Sequence, residues 1–242
     1  MRILRIILCQ NETHKYKAWP RNLTTENGLY DLRLEQDWSL AMELGRDEER
    51  LVHKFKEYNI TSSVCNRLNV VMTPDDTFDG PELVSLDDTV IFDKKNRFVN
   101  VHVDPLAFNR STDSKKRKII IEAIKEALLL VVDHGFEDDI VRICDDVYTV
   151  ADELECLFKT KTTKKYKAQI WVKNKATGFT AKLCVKNLKT QMESQTILFE
   201  DKHLAYFLIS LHKMEIKGGK CIIYSDPVYE PGGESIVVDI DI

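Results

Sequence analysis

The chain has 242 residues, of which 43% are hydrophobic and 31% charged, and its formal net charge is −4. This composition suits a folded protein with a sizeable core, built as one large domain or two small ones, and so modest a charge does not by itself indicate a nucleic-acid partner. The longest apolar run, Ala127–Val132, is too short to span a membrane, and the apolar stretch Met1–Cys9 is too short for a signal peptide. We therefore expect a cytoplasmic protein.

Six cysteines are spread along the chain without a Cys-x-x-Cys pair, which argues against a zinc ribbon or a thioredoxin-type site. Each lies in an apolar context, and the cytoplasm keeps thiols reduced, so we expect six buried thiols rather than three disulfides. The six are Cys9, Cys65, Cys144, Cys156, Cys184 and Cys221.

The N-terminal part of the chain predicts short strands around one helix. Asp37 or Ser39 can cap this helix, and apolar residues at helical spacing predict that it runs to about Tyr58. Asn27-Gly28 is typical of a tight hairpin turn. The other predicted elements are a strand Arg2–Cys9, a hairpin of 22–26 with 29–35, a strand Val64–Met72, a loop Thr73–Pro81, and a hairpin of Thr89–Phe92 with Phe98–Val103.

Two long helices in series form the predicted centre of the fold. The first begins at Ser111–Ser114, whose side chains can cap a helix, and ends at Gly135, which can take the left-handed backbone that closes one. Leu129 and Leu130 widen its apolar stripe, so this helix is predicted to be buried on more than one side.

The second helix is predicted from Asp138 or Asp139 to Phe158, and its polar face is acidic. One interpretation is a solvated helix face. The other is a docking surface for a basic protein, because complementary charge speeds association and rejects wrong partners. We call the following residues the acidic ridge: Asp138, Asp145, Asp146, Asp152 and Glu153.

The remainder of the chain predicts antiparallel strands and one more helix. Strands and helices occur in clusters rather than in strict alternation, which favours an α+β fold of antiparallel hairpins packed with the central helix pair and a C-terminal helix. We expect a single domain over residues 1–242, with a possible subdivision near 104–111. The predicted elements are a hairpin of Tyr166–Val172 with Phe179–Val185, a strand Thr196–Phe199, a helix from Asp201 to Leu211, and strands Lys220–Tyr224 and Ser235–Ile242.

Charge is distributed unevenly along the chain. Residues 159–192 hold ten lysines and no Asp, Glu or Arg, and we call 159–189 the lysine hairpin. Lysines with interspersed aromatic rings can hold a phosphate backbone and stack on bases, whereas the lack of Arg argues against nucleic acid. Alternatively, the lysines guard an edge strand, or the acidic ridge balances their charge. The candidate nucleic-acid-binding residues are Lys164, Lys165, Lys167 and Trp171.

Catalytic chemistry has only isolated candidates. His102 and Asp104 lie two apart on a predicted strand and so share one face, where they could supply two ligands of a metal site. The alternative is a strand-end histidine followed by a turn aspartate. Asp133-His134 could pair a carboxylate with a base, and Cys65 could act as a nucleophile with a distant histidine, but no local motif supports either.

The sequence contains no phosphate-binding loop, dinucleotide fingerprint, nucleophile elbow or His-Glu-x-x-His motif. No catalytic role, cofactor or metal is therefore predicted. In composition alone the chain is similar to small bacterial immunity proteins, which are motif-free and acidic on one face. We expect a non-catalytic, bacterial, cytoplasmic protein that binds and neutralises a toxin, such as a basic toxin domain. Nucleic-acid binding by the lysine hairpin is the alternative hypothesis.

Overall fold

A computed structural model describes residues 5–10, 38–73, 80–84, 95–202, 211–228 and 235–242. The chain divides into two compact units, Met1–Val150 and Ala151–Ile242. The predicted single domain, with its possible subdivision near 104–111, stays a prediction, and residues 104–111 lie within the first unit. No helix in the described ranges is long and apolar enough to cross a membrane.

The first unit contains a sheet of four strands in the order β1-β2-β4-β3. Both β1 and β4 run parallel to β2, while the short β3 pairs antiparallel with β4. In chain order its elements are β1 (Arg5–Gln10), α1 (Trp38–Glu57), β2 (Arg67–Thr73), β3 (Glu82–Leu83), β4 (Asn96–His102), α2 (Pro105–Asn109), α3 (Asp113–Val131) and α4 (Glu137–Val150).

The core of the first unit lies between this sheet and its helices. β2 is buried on both faces from Leu68 to Thr73, as expected of a central strand with parallel neighbours. α3 packs on β2 and β4, α1 packs on β1, and α4 packs on α1 and α3. The apolar stripe of α3 supplies much of the core through Ile120, Ile121, Ile124, Leu128 and Val131.

The second unit is built from two antiparallel sheets. The larger has the order β5-β6-β7-β8, and the smaller has the order β11-β10-β9. Gly218 and Gly219 join β9 to β10 with φ values of 59° and 73°, the left-handed pair that a tight hairpin turn requires. The strands are β5 (Glu155–Thr162), β6 (Tyr166–Lys175), β7 (Gly178–Asn187), β8 (Glu193–Lys202), β9 (Lys213–Lys217), β10 (Lys220–Tyr224) and β11 (Ile236–Asp239).

The predicted α+β fold is confirmed, as are the helix to about Tyr58 and the hairpin of β6 with β7. The second long helix is wrong at its end. It stops at Val150 because Ala151 takes a left-handed φ of 49°, and the chain then passes through a 3-10 turn at Ala151–Glu153. Leu157 pairs with Trp171, and Leu157 and Phe158 belong to β5 rather than to a helix.

Several predicted elements lie wholly or partly outside the described residues. These are the hairpin over 22–35, the strand Thr89–Phe92 and positions 203–210 of the C-terminal helix. Asp201, predicted to cap that helix, belongs instead to β8. The parallel pairing of β4 with β2 was not predicted.

Candidate functional site

The outer face of α4 combines carboxylates with exposed apolar side chains. Asp138 and Asp145 are exposed, and Val141 lies between them at helical spacing with 38% of its surface exposed. On α3, Leu129 is 36% exposed and Leu130 is 43% exposed. The prediction that these leucines bury a second side of α3 is therefore wrong.

The two helices bring these residues together. A connection over 132–136 joins α3 to α4, and a short connection between packed helices makes them run antiparallel. The ion pair with Glu122 is the main reason that the pKa of Lys125 on α3 is raised. The negative charge of Asp145 on α4 raises it further, so Asp145 and Lys125 lie close to each other. One turn further along, the antiparallel arrangement places Leu129 near Val141. We call Leu129, Val141, Asp138, Asp145 and Asp146 the α3–α4 surface.

Among the described residues, the carboxylates of the α3–α4 surface form no direct ion pair, although Asp145 interacts with the Lys125 cation at longer range. Within the described ranges, no Lys, Arg or His forms an ion pair with Asp138, Asp145 or Asp146. Asp139, which the ridge did not include, pairs with Arg142, whose guanidinium lies 4.8 Å from the ring centre of Tyr58. The negative charge of the surface therefore remains available to a partner.

A buried ionic cluster anchors α4 to the rest of the unit. Arg117 of α3 donates from Nη2 and Nη1 to the carbonyls of Val147 and Tyr148, at 2.8 and 3.1 Å. The carboxylate of Asp47 on α1 accepts from Arg117 Nε at 2.6 Å and from Arg50 Nη1 at 2.8 Å. Asp47 and Arg50 are each 1% exposed. Two of the last four carbonyls of α4 are thereby satisfied, and the helix is fastened to α3 and α1.

The residues of the acidic ridge are divided between the two units. Asp152 and Glu153 lie in the second unit, where Asp152 accepts a hydrogen bond from the Ala176 amide at 3.1 Å and Glu153 pairs with Lys173 at 2.6 Å. These two carboxylates hold the turn between β6 and β7. The ion pair also lowers the pKa of Glu153.

The lysine hairpin contains two kinds of lysine. On the outer face of the larger sheet, Lys173, Lys182 and Lys186 pair with Glu153, Glu155 and Glu193 at 2.6, 2.7 and 2.9 Å. Lys159 faces the other side, where its ammonium donates to the carbonyls of Leu211, at 2.7 Å, and His212. Burial lowers the pKa of Lys159. These four lysines have structural partners.

The remaining candidate lysines lie toward one end of the sheet. Lys164 and Lys165 are exposed in the turn between β5 and β6, and Lys167 follows on the outer face of β6. Trp171 lies on the same face as Lys167 because β6 alternates strictly between buried and partly exposed residues. The sequence did not predict which lysines form ion pairs, because the glutamate partners of the paired lysines lie outside residues 159–192.

His102 and Asp104 do not converge as metal ligands. His102 is exposed at the end of β4, while the Asp104 carboxylate caps α2 by accepting from the amides of Leu106 and Ala107 at 2.8 and 3.2 Å. Among the side chains that the structure describes, no three His, Cys, Asp or Glu residues are grouped to hold a metal ion. The turn interpretation of Asp104 is the one observed.

The other catalytic candidates have structural roles. Asp133 accepts from Thr61 Oγ1 at 2.7 Å and from the Ser63 amide at 2.5 Å, which fastens a loop to the end of α3. His134 is 99% exposed and pairs with Glu137 at 2.8 Å, and Asp133 is occupied by Thr61 and Ser63. Burial raises the pKa of Cys65, which disfavours the nucleophilic thiolate.

The cysteines behave largely as predicted. Cys65, Cys144, Cys156 and Cys221 are buried and Cys184 is half-buried, and none of these five forms a disulfide. Burial raises the pKa of Cys144 to about 12 and that of Cys221 to about 11. The side chain of Cys9 lies outside the described residues.

No protein-family model, curated protein or solved structure matches the chain.

Proposed function

We propose that this is a non-catalytic cytoplasmic protein whose α3–α4 surface binds a basic protein partner. We propose further that the partner is a toxin and that binding neutralises it, as a bacterial immunity protein does. The observation that carries the proposal is the position of exposed Val141 between the carboxylates of Asp138 and Asp145.

The composition of this surface suits protein recognition. An apolar centre gains free energy when it is removed from water, and charges around it select the partner and raise the association rate. Val141 and Leu129 supply the apolar area, and Asp138, Asp145 and Asp146 supply the charge. A partner with basic side chains around an apolar contact would complement both features.

The anchoring of α4 supports the same proposal. A surface that is already ordered before association loses little conformational entropy on binding. Arg117 bonds the last turn of α4 to the buried Asp47 of α1, so three helices fix the position of the outer face. The proposed partner would therefore meet a preformed surface.

Affinity capture from the native host, with matched charge variants, tests the proposal. The test variant D145K/D146K reverses the charge at two positions in the second half of α4. It leaves the first turn unchanged, because a Lys in the first turn would oppose the helix dipole. The control E200K/D241K makes the same charge change at exposed positions of the second unit. We expect the wild type and the control to retain one basic protein in equal amount, and D145K/D146K to lose it. Equal retention by all three chains would contradict the proposal.

The toxin part has its own test. Expression of the captured protein alone should arrest growth, and coexpression of the wild-type chain or E200K/D241K should restore it. D145K/D146K should fail to restore growth although it folds. A captured protein that is harmless when expressed alone would reject the immunity role and leave the binding surface intact.

A further inference from the structure

We infer that the second unit binds single-stranded nucleic acid on the outer face of the β5–β8 sheet, at the end that carries Lys164, Lys165, Lys167 and Lys189. This site does not depend on the α3–α4 surface or on the function proposed for it. The inference rests on three observations: which lysines form ion pairs, the hydrogen bonds that fix two turns, and the position of Trp171 on the same face.

Two turns meet at this end of the sheet and both are ordered. In the first, the amide of Tyr166 donates to Thr163 Oγ1 at 3.0 Å, and the Thr163 amide donates to the Tyr166 carbonyl at 2.8 Å. In the second, the buried Asn187 side chain accepts from the Lys189 amide at 3.0 Å. The Leu188 amide then donates to the Lys165 carbonyl at 2.7 Å, which joins the two turns. The lysines they carry are therefore held near one another.

Positive charge exceeds negative charge at this end. In the described part of the chain, no carboxylate forms an ion pair with Lys164, Lys165, Lys167 or Lys189. Lys165 lies 4.7 Å from the ring centre of Tyr166, which leaves its charge intact. Lys186, opposite Lys167 at this end, is paired with Glu193. Lys173 and Lys182, nearer the far end and the middle of the sheet, are paired with Glu153 and Glu155. The sheet thus has a cationic end that can attract phosphates.

Trp171 gives the cationic end an aromatic neighbour. Lys167, Gln169 and Trp171 follow one another on the outer face of β6, so Trp171 lies about 13 Å from Lys167 along the strand. Its cross-strand neighbours are Leu157 on β5 and Lys182 on β7. Exposed Ile197 pairs with Lys182 and continues this row onto β8. The Trp171 indole in such a row can stack on a base while the sugar-phosphate backbone of the nucleic acid runs toward the lysines.

The chemistry favours single-stranded nucleic acid over an acidic peptide. A peptide carboxylate would use the lysines alone, whereas a nucleic acid uses the lysines and the aromatic face together. Lysine ammonium groups act as point charges and do not make the bidentate contacts by which Arg reads bases. We therefore expect binding that is independent of sequence and sensitive to salt.

The test is fluorescence anisotropy of a labelled 15-nucleotide oligo-dT, titrated with the full chain between 50 and 300 mM salt. Four phosphate contacts on a single strand predict a slope of about −2.8 in a plot of log K against log salt. A polyglutamate of equal length is the competing probe, and it should displace the oligonucleotide poorly. Absence of oligo-dT binding at 50 mM salt would overturn the inference, as would equal affinity for both probes.

Charge-matched variants locate the site. K164Q/K167Q removes two unpaired lysines and should reduce the slope by about 1.4. K173Q/K182Q removes two paired lysines outside this end, with the same change in net charge, and should leave the slope near its wild-type value. An equal loss in both double variants would contradict the assignment to this end of the sheet.

Stacking is tested at Trp171. W171A should weaken oligo-dT binding about tenfold, and W171F should restore most of it because Phe keeps an aromatic face. Half-buried Cys184, which pairs with Gln169 across the strands, reports occupancy: bound oligo-dT should slow its alkylation. If W171A binds as well as the wild type and Cys184 is not protected, the stacking face is not the site.

Discussion

The carboxylate of Asp47 accepts hydrogen bonds from both Nε and Nη2 of Arg117, at 2.6 and 2.9 Å, and this contact joins α1 to α3 across 70 residues of sequence. Arg117 extends the contact to α4 through the carbonyls of Val147 and Tyr148. The packing of all three helices therefore converges on one buried cation. Because the side chains of Arg117 and Asp47 are only 9% and 1% exposed, solvent screens the pair little.

R117M tests the role of this cluster. Methionine keeps much of the side-chain volume but leaves Asp47 without one cation and the α4 carbonyls without donors. Removing one partner of a buried ion pair costs about 3–5 kcal/mol of unfolding free energy, which urea denaturation would measure. R142M breaks an exposed pair with Asp139 and should cost less than about 1 kcal/mol. Similar losses in the two variants would show that the cluster is not important to stability.

His53 on α1 predicts a pH dependence of stability. Burial, assisted by the charge of Lys56, lowers its pKa from 6.5 to about 4. The unfolded chain therefore binds a proton at this site between pH 6.5 and 4 while the folded chain does not. Stability due to His53 is complete above pH 6.5 and is lost as the pH falls toward 4.

Urea denaturation of the wild type and H53Q at pH 7.5 and pH 5 measures this contribution. The wild type should lose on the order of 1–2 kcal/mol more than H53Q between the two pH values. An identical loss in both proteins would place the proton-linked change elsewhere.

A151G should stabilise the protein. Ala151 holds a left-handed φ of 49°, which costs a residue with a Cβ about 1–2 kcal/mol. Gly avoids this cost but loses more conformational entropy on folding, which lowers stability by about 0.5–1 kcal/mol. We expect a net gain of up to about 1 kcal/mol in urea denaturation. A176G, in a turn whose backbone is not left-handed, should be neutral or destabilising. A loss of stability in A151G would contradict this interpretation of the helix end.

Local sequence predicted α3 and the β6–β7 hairpin, but not the end of α4 or the pairing of β2 with β4. The stripe of α3 and the alternation of β6 and β7 depend on spacing alone, and both were found. Leu154, Leu157 and Phe158 also fit the helical spacing of α4, but the pairing of β5 with β6 and the backbone of Ala151 decide their structure. Pairing across the fold overrides local periodicity at such a boundary.

The candidate surfaces were predicted only in part. The acidic face of α4 follows from sequence as far as Asp146, whereas Leu129 and Val141 were missed. Val141 does not fit the helical spacing of the buried residues Ile140, Ile143 and Val147. That spacing could have predicted an exposed apolar side chain at position 141. The pairing of individual lysines with glutamates could not be predicted, because it depends on strand register.

V141Q separates the apolar contribution of the α3–α4 surface from its charge. With the captured partner, V141Q should weaken binding by about 1–2 kcal/mol and leave the salt dependence unchanged. D145K/D146K should reduce both affinity and salt dependence. V237Q, at a valine that is 51% exposed in the second unit, is the matched control and should bind like the wild type. Calorimetric titration at two salt concentrations distinguishes these effects.

The most direct test of the α3–α4 surface is hydrogen–deuterium exchange of the chain, alone and in its purified complex with the captured partner. Backbone amides in 126–150 should exchange more slowly in the complex, with the strongest effect around Val141, while amides of the β5–β8 sheet should be unchanged. Protection confined to residues 155–202, with none in 126–150, would contradict the account.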